Sequence, residues 1–164
     1  GVVRVAKSDG VLLVKILTGA LFLLAIDPLS SIALLPVTTG TAKTDFVVLA
    51  DDPVFWKYVS PIVKEMELKH DGKAGRVLIV RLVNEGDIPV HRDYGTYLEL
   101  SRRHHLPIVT SENVTFSVQD HSVNMKEGEL WEINNAKDHS VNNSGPSQRI
   151  HLIFDIIPNR YIES

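Results

Sequence analysis

Cysteine is absent from the 164 residues of the chain. This excludes a disulfide framework, a thiolate-ligated zinc site and a cysteine nucleophile. Any bound metal must therefore be held by histidine, aspartate or glutamate. Runs of Lys and Arg are also missing, and the net charge is −3 with a pI of about 6.2. Because no positive field would hold phosphate backbones, nucleic acid is not expected as a partner.

Long hydrophobic runs are scarce as well. The most apolar segment, residues 11–26, contains Lys15 and is shorter than the ~20 apolar residues that a bilayer crossing needs. No small-residue cleavage motif of a secretory signal follows it, and Asp27 and Pro28 end the segment. We interpret it as a buried helix or strand pair, and we expect a cytoplasmic protein that does not insert into membranes. The alternative is a contact with a membrane surface or a partner protein.

Internal repeats, low-complexity tracts and linkers rich in Pro, Gly and Ser are absent too, and the length suits one globular core. We expect a single domain over residues 1–164, with a support region of helix and strand at residues 1–70. A β-rich core is expected at residues 75–157. Residues 36–45 predict an exposed loop.

A helix is predicted to begin at Pro53, with Asp52 as its N-cap. Apolar residues recur at helical intervals after it, as at Val59 and Met66. Pro61 is expected to kink or divide this helix.

Short segments rich in β-branched and aromatic residues dominate the chain from residue 75 onward. They are "GRVLIVRLVN", "RRHHLPIVTS", "NVTFSVQ", "GELWEIN" and "QRIHLIFDII", and turn signals such as "NEGD" and "NNSGPS" separate them. Strands without intervening helices predict antiparallel sheets. We therefore expect a mainly β fold, a double-stranded β-helix (jelly-roll, cupin-like), with N-terminal helices packed outside and an open mouth for a ligand.

Two of the seven histidines combine with a carboxylate into a candidate metal site. His91 and Asp93 stand at i and i+2, where side chains of a strand point to one face. His139 follows after several predicted strands that can fold back beside the first. One carboxylate and two imidazoles on one side of an ion form the facial triad of non-haem Fe(II) oxygenases. By contrast, we interpret His70 and His121 as surface or hydrogen-bonded histidines.

Arg149 adds a second element to this site. It lies on the strand predicted to follow His139. A guanidinium fixed in a barrel can hold the distal carboxylate of a dicarboxylic acid through two parallel hydrogen bonds. The triad together with this arginine suggests 2-oxoglutarate as a co-substrate.

Several ordered motifs in about residues 75–157 resemble a known family. They are R-L-x-x-x-G-x-I-x-x-H-x-D ending at Asp93, R-x-H-x-P-I from Arg103, G-E-x-W ending at Trp131, H-x-V-x-N from His139, and R-I-H-L from Arg149. This order resembles the aspartyl/asparaginyl β-hydroxylase family of Fe(II)/2-oxoglutarate-dependent oxygenases. That family is similar in turn to bacterial proline 3-hydroxylases.

The resemblance implies a role for each matched residue. It implies that His91, Asp93 and His139 bind Fe(II). It also implies that Arg149 binds 2-oxoglutarate, and that Arg103 and His105 line the co-substrate pocket or orient a substrate carboxylate. We interpret Trp131 as a wall of the core. His151 either faces the same cavity or is a packed, hydrogen-bonded histidine.

The implied reaction is hydroxylation of an unactivated C–H of an amino acid, a peptide side chain or a related small molecule, with O2 as the second co-substrate and succinate and CO2 as co-products. Vertebrate peptide hydroxylases of the family lack the metal-binding carboxylate, so the presence of Asp93 favours the bacterial small-molecule branch. Two alternatives stay open. One is a non-catalytic cupin-like protein that binds a metal or a small acid, and the other is a lipid acyl-chain hydroxylase that contacts the membrane through residues 11–26.

Overall fold

The protein is described by a computed structural model that covers residues 2–6, 13–16, 44–48 and 53–162. These residues form eleven strands and two α-helices. The strands are β1 Val2–Ala6, β2 Leu13–Ile16, β3 Thr44–Val48, β4 Gly72–Leu82, β5 Asp87–His91, β6 Arg102–Val109, β7 Val114–Val118, β8 His121–Val123, β9 Leu130–Ile133, β10 His139–Asn143 and β11 Arg149–Pro158. The helices are α1 Pro53–Lys69 and α2 Thr96–Leu100, and a short 3-10 turn covers Asn159–Tyr161.

Two antiparallel sheets make up the β structure of the described residues. The larger has seven strands in the order β1-β2-β9-β6-β11-β4-β3, and the smaller has four in the order β5-β10-β7-β8. Most neighbouring strands, such as β4 with β11 and β5 with β10, are distant in sequence, as in a jelly roll, where the chain passes repeatedly between the sheets. The prediction of a mainly β, double-stranded β-helix is confirmed.

Strand β11 lies inside the larger sheet, between β6 and β4, and its two faces contact two different cores. One core lies on the outer face of the larger sheet, where Ile150, Leu152 and Phe154 pack with α1. The alternate residues, such as Arg149 and His151, point to the other face, towards the smaller sheet. There a second core is formed by Leu82, Val114, Phe116, Val118, Met125, Trp131, Ile133 and Val141. Trp131 is therefore a core wall, as predicted.

Helix α1 packs on the outer face of the larger sheet, as predicted, and begins at Pro53. Val59, Ile62 and Met66 are fully buried against that sheet. The helix continues through Pro61 to Lys69, so Pro61 does not divide it. Burial of the apolar stripe on both sides of the proline outweighs the one backbone hydrogen bond that proline cannot donate.

The N-terminal third contributes edge strands to the larger sheet. Residues 13–16 of the apolar segment form β2, which pairs with β1 and β9, while residues 17–26 lie outside the described residues. The loop predicted at residues 36–45 ends in strand, because β3 begins at Thr44 and pairs with β4. Its remainder and the predicted N-cap Asp52 lie outside the described residues. Within the described ranges, no helix is long and apolar enough to span a membrane.

Candidate active site

His91 and His139 meet at one end of the smaller sheet. His91 is the last residue of β5 and His139 the first of β10, and the two are paired across these strands. Their ring centroids are 4.2 Å apart. The sheet register alone therefore brings together two imidazoles that lie far apart in the sequence.

Asp93 completes the group, but from a loop. The chain leaves the sheet after His91, and the backbone N–H of Asp93 donates to the carbonyl of Asn135 at 3.0 Å. The expectation that Asp93 shares the strand face of His91 is therefore wrong, although its carboxylate still points towards that histidine. Its Oδ1 lies 3.7 Å from His91 Nε2 and 3.9 Å from His139 Nε2.

The three ligand atoms have the spacing of a chelating set. All lie within 4.8 Å of one another. Around an ion with bonds of about 2.1 Å, adjacent ligand atoms lie ~3.0 Å apart in an octahedron and ~3.4 Å apart in a tetrahedron. Inward shifts of about half an ångström would therefore bring the three atoms into contact with one cation.

Both imidazoles are oriented by backbone carbonyls. His91 Nδ1 lies 2.8 Å from the carbonyl of Pro89, and His139 Nδ1 lies 2.8 Å from that of Lys137. If Nδ1–H donates in each contact, each Nε2 presents its lone pair towards Asp93. Burial lowers the pKa of His139, with a further contribution from the nearby His91. The neutral imidazole that metal binding requires is therefore favoured.

Arg103 holds the remaining oxygen of Asp93. Its Nη1 donates to Asp93 Oδ2 at 2.6 Å, while Nε and Nη2 donate to both oxygens of Asp155 at 2.8 and 2.9 Å. Asn135 Nδ2 also donates to Asp93 Oδ2, at 3.2 Å. Burial opposes the charge of Arg103, but the hydrogen bonds and charge of Asp155 and the charge of Asp93 raise its pKa overall. The motifs implied that Arg103 lines the co-substrate pocket or orients a substrate carboxylate, and they did not predict its contact with the triad carboxylate.

Arg149 lies at the start of β11 in a buried polar cluster with His105 and His151. It is 1% exposed. Its Nη2 donates to His151 Nδ1 at 2.8 Å. His105 Nδ1 lies 3.4 Å from His151 Nδ1. Arg149 Nε and Nη1 and the Nε2 atoms of both histidines have no hydrogen-bond partner among the described residues.

Burial strongly disfavours positive charge in this cluster. It lowers the pKa of Arg149 to about 9. Burial, followed by the charge of Arg149, brings the pKa of His105 and of His151 well below the ordinary value, so both imidazoles are neutral. A guanidinium buried without a compensating anion is costly, so the cluster is suited to bind a carboxylate.

Phe116 connects this cluster with the triad. Its ring centroid lies 5.2 Å from that of His105 and 6.3 Å from that of His139. The triad and the buried cationic cluster therefore border the same space between the sheets. A small ligand that contacts both would lie against an aromatic wall.

The sequence model of the aspartyl/asparaginyl β-hydroxylase family matches residues 54–158, more than half of the chain. The chain belongs to this family. This confirms the resemblance recognised from the motifs. As a family member, the protein is an enzyme of the 2-oxoglutarate- and Fe(II)-dependent oxygenase type.

Solved structures of low sequence identity share the fold of this hydroxylase family member. A viral collagen prolyl hydroxylase from Paramecium bursaria Chlorella virus-1, in a 2-oxoglutarate complex, matches with a TM-score of 0.66 and 10% identity over 89% of this chain and 96% of that one. HygX from Streptomyces hygroscopicus, with nickel and 2-oxoglutarate bound, matches with a TM-score of 0.63 and 12% identity over 91% and 83% of the two chains. At these identities the likeness establishes the fold.

Asn135 and Asp155 are site residues that sequence analysis missed. Asn135 lies in the turn before β10 and contacts Asp93, while Asp155 is buried on β11 and contacts Arg103. Neither residue belongs to a motif. The available signal was Asp155 itself, a carboxylate within a strand whose other residues are mostly apolar.

Proposed function

We propose that the protein binds Fe(II) through His91, Asp93 and His139 and binds 2-oxoglutarate through Arg149, to hydroxylate an unactivated C–H of an amino acid, a peptide side chain or a related small molecule. The observation that carries this proposal is the position of the triad beside a buried arginine with two unsatisfied donor atoms. A non-catalytic metal-binding protein would need the first feature and not the second.

The triad residues fit Fe(II) in donor chemistry and in number. Two neutral imidazoles and one carboxylate on one side of the ion leave the other positions for a co-substrate and O2. Bound Fe(II) would supply O2 activation, in which one oxygen atom enters the substrate as hydroxyl and the other enters succinate as 2-oxoglutarate loses CO2. Arg103 holds Oδ2 of Asp93 and leaves its Oδ1 directed to the imidazoles.

Arg149 supplies the anchor for the co-substrate. A carboxylate placed against its Nε and Nη1 would receive two parallel hydrogen bonds and would neutralise a buried positive charge. Because His151 accepts from Arg149 at Nδ1, its neutral ring carries the proton on Nε2 and offers a further donor. A metal at the triad would bind the keto-acid end of the same molecule, so the two sites together would select a dicarboxylic acid over a simple monocarboxylic acid.

The open side of the triad is the expected side for the substrate. The side chain of His91 is 42% exposed, whereas that of His139 is 6% exposed. Tyr94, three residues after His91, presents a large aromatic ring to solvent. An amino-acid or peptide side chain could pack on this ring while its C–H reaches the metal. The collagen prolyl hydroxylase among the structural relatives supports a substrate of this class.

Anaerobic titration with Fe(II) and 2-oxoglutarate tests the assignment. The wild-type protein should give the weak visible charge-transfer band of a metal–keto-acid complex, and with O2 it should form succinate. The His139→Ala variant should lose both, while His121→Ala, which changes a histidine outside the site, should keep both. Full succinate formation by folded His139→Ala would contradict the triad assignment.

Arg149→Met tests the co-substrate anchor separately. Removing one partner of a buried, hydrogen-bonded charge pair costs about 2 to 5 kcal/mol, which corresponds to a loss of 2-oxoglutarate affinity of roughly 30-fold to several thousand-fold. Binding of Fe(II) alone should change little. Unaltered affinity for 2-oxoglutarate in this variant would show that the co-substrate binds elsewhere, and 2-oxoglutarate binding without succinate formation in the wild type would favour a non-catalytic binding protein.

A further inference from the structure

A second group of metal-ligating side chains lies on the opposite face of the larger sheet. His70 follows the last turn of α1, His104 lies on β6 and Glu132 on β9. Arg103 and His105 point into the space between the sheets, so His104, which lies between them, points out towards α1. There it stacks on Phe154 at a centroid distance of 4.9 Å. From the sequence, His70 was interpreted as a surface or hydrogen-bonded histidine, and His104 and Glu132 were not among the candidate site residues.

The ligand atoms of the three side chains converge. The two Nε2 atoms are 3.0 Å apart, and Glu132 Oε2 lies 3.7 Å from His70 Nε2 and 4.0 Å from His104 Nε2. All lie within 4.8 Å of one another, as do the ligand atoms of the catalytic triad. Around a tetrahedral ion the same separations would be ~3.4 Å. On binding, the distance between the two Nε2 atoms would lengthen, and the two distances to Glu132 Oε2 would shorten, each by about 0.3 to 0.6 Å.

Neighbouring groups orient the ligand atoms of His104 and Glu132. His104 Nδ1 contacts the carbonyl of Arg102 at 3.0 Å, so Nδ1–H can donate there and leave the Nε2 lone pair available. The Arg102 guanidinium holds Glu132 Oε1 through Nε at 2.8 Å and Nη2 at 2.7 Å. The other oxygen, Oε2, therefore faces the imidazoles. Such contacts fix ligand orientation in natural metal sites.

The site is enclosed, and both imidazoles are neutral. The side chains of His70, His104 and Glu132 are 5%, 0% and 12% exposed. Burial, and then the charge of Arg102, lowers the pKa of His70 to about 4. Burial and the neighbouring His70 lower that of His104 well below its ordinary value. Metal binding would therefore require no proton release from either ring at neutral pH.

We propose that His70, His104 and Glu132 bind a divalent cation of the Zn(II) type, distinct from the catalytic metal. Two imidazoles and one carboxylate are ligands that Zn(II) accepts, with water in the fourth position. A cleft of about 320 Å³ is lined in part by Arg102 and Glu132, the outermost of the three ligands. The cation would join the end of α1 to β6 and β9. The alternative to a metal site is a pair of neutral histidines, His70 and His104, joined by one N–H···N hydrogen bond.

The test uses full-length protein freed of metal with a chelator, in a variant that removes the catalytic triad, His91→Ala/His139→Ala. Co(II) titration should still give one equivalent, with the intense visible bands of four-coordinate Co(II). Zn(II) at 100 times its Kd should raise the Tm by about 5 to 10 °C. Adding His70→Gln should abolish both effects, whereas adding His121→Gln as a matched control should leave them unchanged.

Each outcome is decisive once circular dichroism shows that the variants fold. If His70→Gln does not fold in this background, Glu132→Gln, which can still accept from Arg102, should weaken Co(II) binding by more than the roughly 10- to 100-fold typical of losing an outer-shell partner, because Glu132 is a direct ligand. Absence of Co(II) binding in the folded triad variant, or full binding after loss of His70, overturns the proposal. The result is independent of the proposed oxygenase chemistry, because the catalytic ligands are already removed.

Discussion

Replacing Arg103 with methionine should lower both the free energy of unfolding of the protein and the affinity of the triad for a metal. The guanidinium lies between Asp155, which is 1% exposed, and Asp93, and it donates to both. Removing one partner of a buried ion pair costs about 3 to 5 kcal/mol. Arg76 Nε stays 3.5 Å from Asp155 Oδ2 and compensates in part. We therefore expect the free energy of unfolding to fall by about 3 kcal/mol, at the lower end of that range.

A second substitution separates the two effects. In Arg103→Met/Asp155→Asn the uncompensated buried charge is gone, so about 2 kcal/mol of the loss should be recovered. The carboxylate of Asp93 still lacks its short hydrogen bond, so the affinity of the triad for Fe(II) or Co(II) should stay about 10- to 100-fold below wild type. Urea denaturation measures the first quantity, and anaerobic metal titration measures the second.

Arg160→Met is the matched control, because Arg160 is exposed and lies outside the triad contacts. It should change the free energy of unfolding by less than about 0.5 kcal/mol and leave metal affinity unaltered. If the stability-rescued double variant binds metal as tightly as the wild type, then Arg103 stabilises the sheet without positioning Asp93, and the reasoning fails.

Two further predictions concern packing and pH. A Cβ at Gly75 would lie 2.2 Å from Tyr97 Oη, which accepts a hydrogen bond from the backbone N–H of Arg76 at 2.7 Å. Gly75→Ala and Tyr97→Phe should therefore each cost about 1 kcal/mol in urea denaturation and should be less than additive when combined, whereas additivity would show that the hydrogen bond survives. The pKa of His70 falls from 6.5 to about 4 on folding. Between these pH values only the unfolded chain binds a proton at His70. The free energy of unfolding of the metal-free protein should therefore fall by about 1 kcal/mol per pH unit as the pH falls from 6.5 to 4. An equal dependence on pH in His70→Gln would show that His70 is not its cause.

The strands were predictable where local chemistry determines them. Residues 148–157 were predicted as a strand, and β11 covers Arg149–Pro158. Dense β-branched residues bounded by turn signals identify such a segment with little help from tertiary contacts. The same holds for the start of α1, where Pro53 is suited to the first helical position.

The contacts within the site depend on sheet order, which local patterns do not reveal. Asp155 and Arg103 are paired residues of β11 and β6, although 52 positions separate them. Likewise, His70 meets His104 of β6 only because α1 packs on the outer face of the larger sheet. Motifs indicated that His91, Asp93 and His139 converge. The loop position of Asp93 depends instead on its backbone contact with Asn135.

The two faces of β11 constrain how this enzyme can diverge. One face carries Arg149, His151 and Asp155, and the other supplies apolar residues packed beneath α1. A one-residue slip in register would bury the arginine in hydrocarbon and expose leucine and phenylalanine to the reaction space. Insertions or deletions in this strand would thus abolish folding and chemistry together. New substrate preferences should therefore arise mainly in the loops at the mouth, such as the segment that carries Tyr94, where length can vary without moving β11.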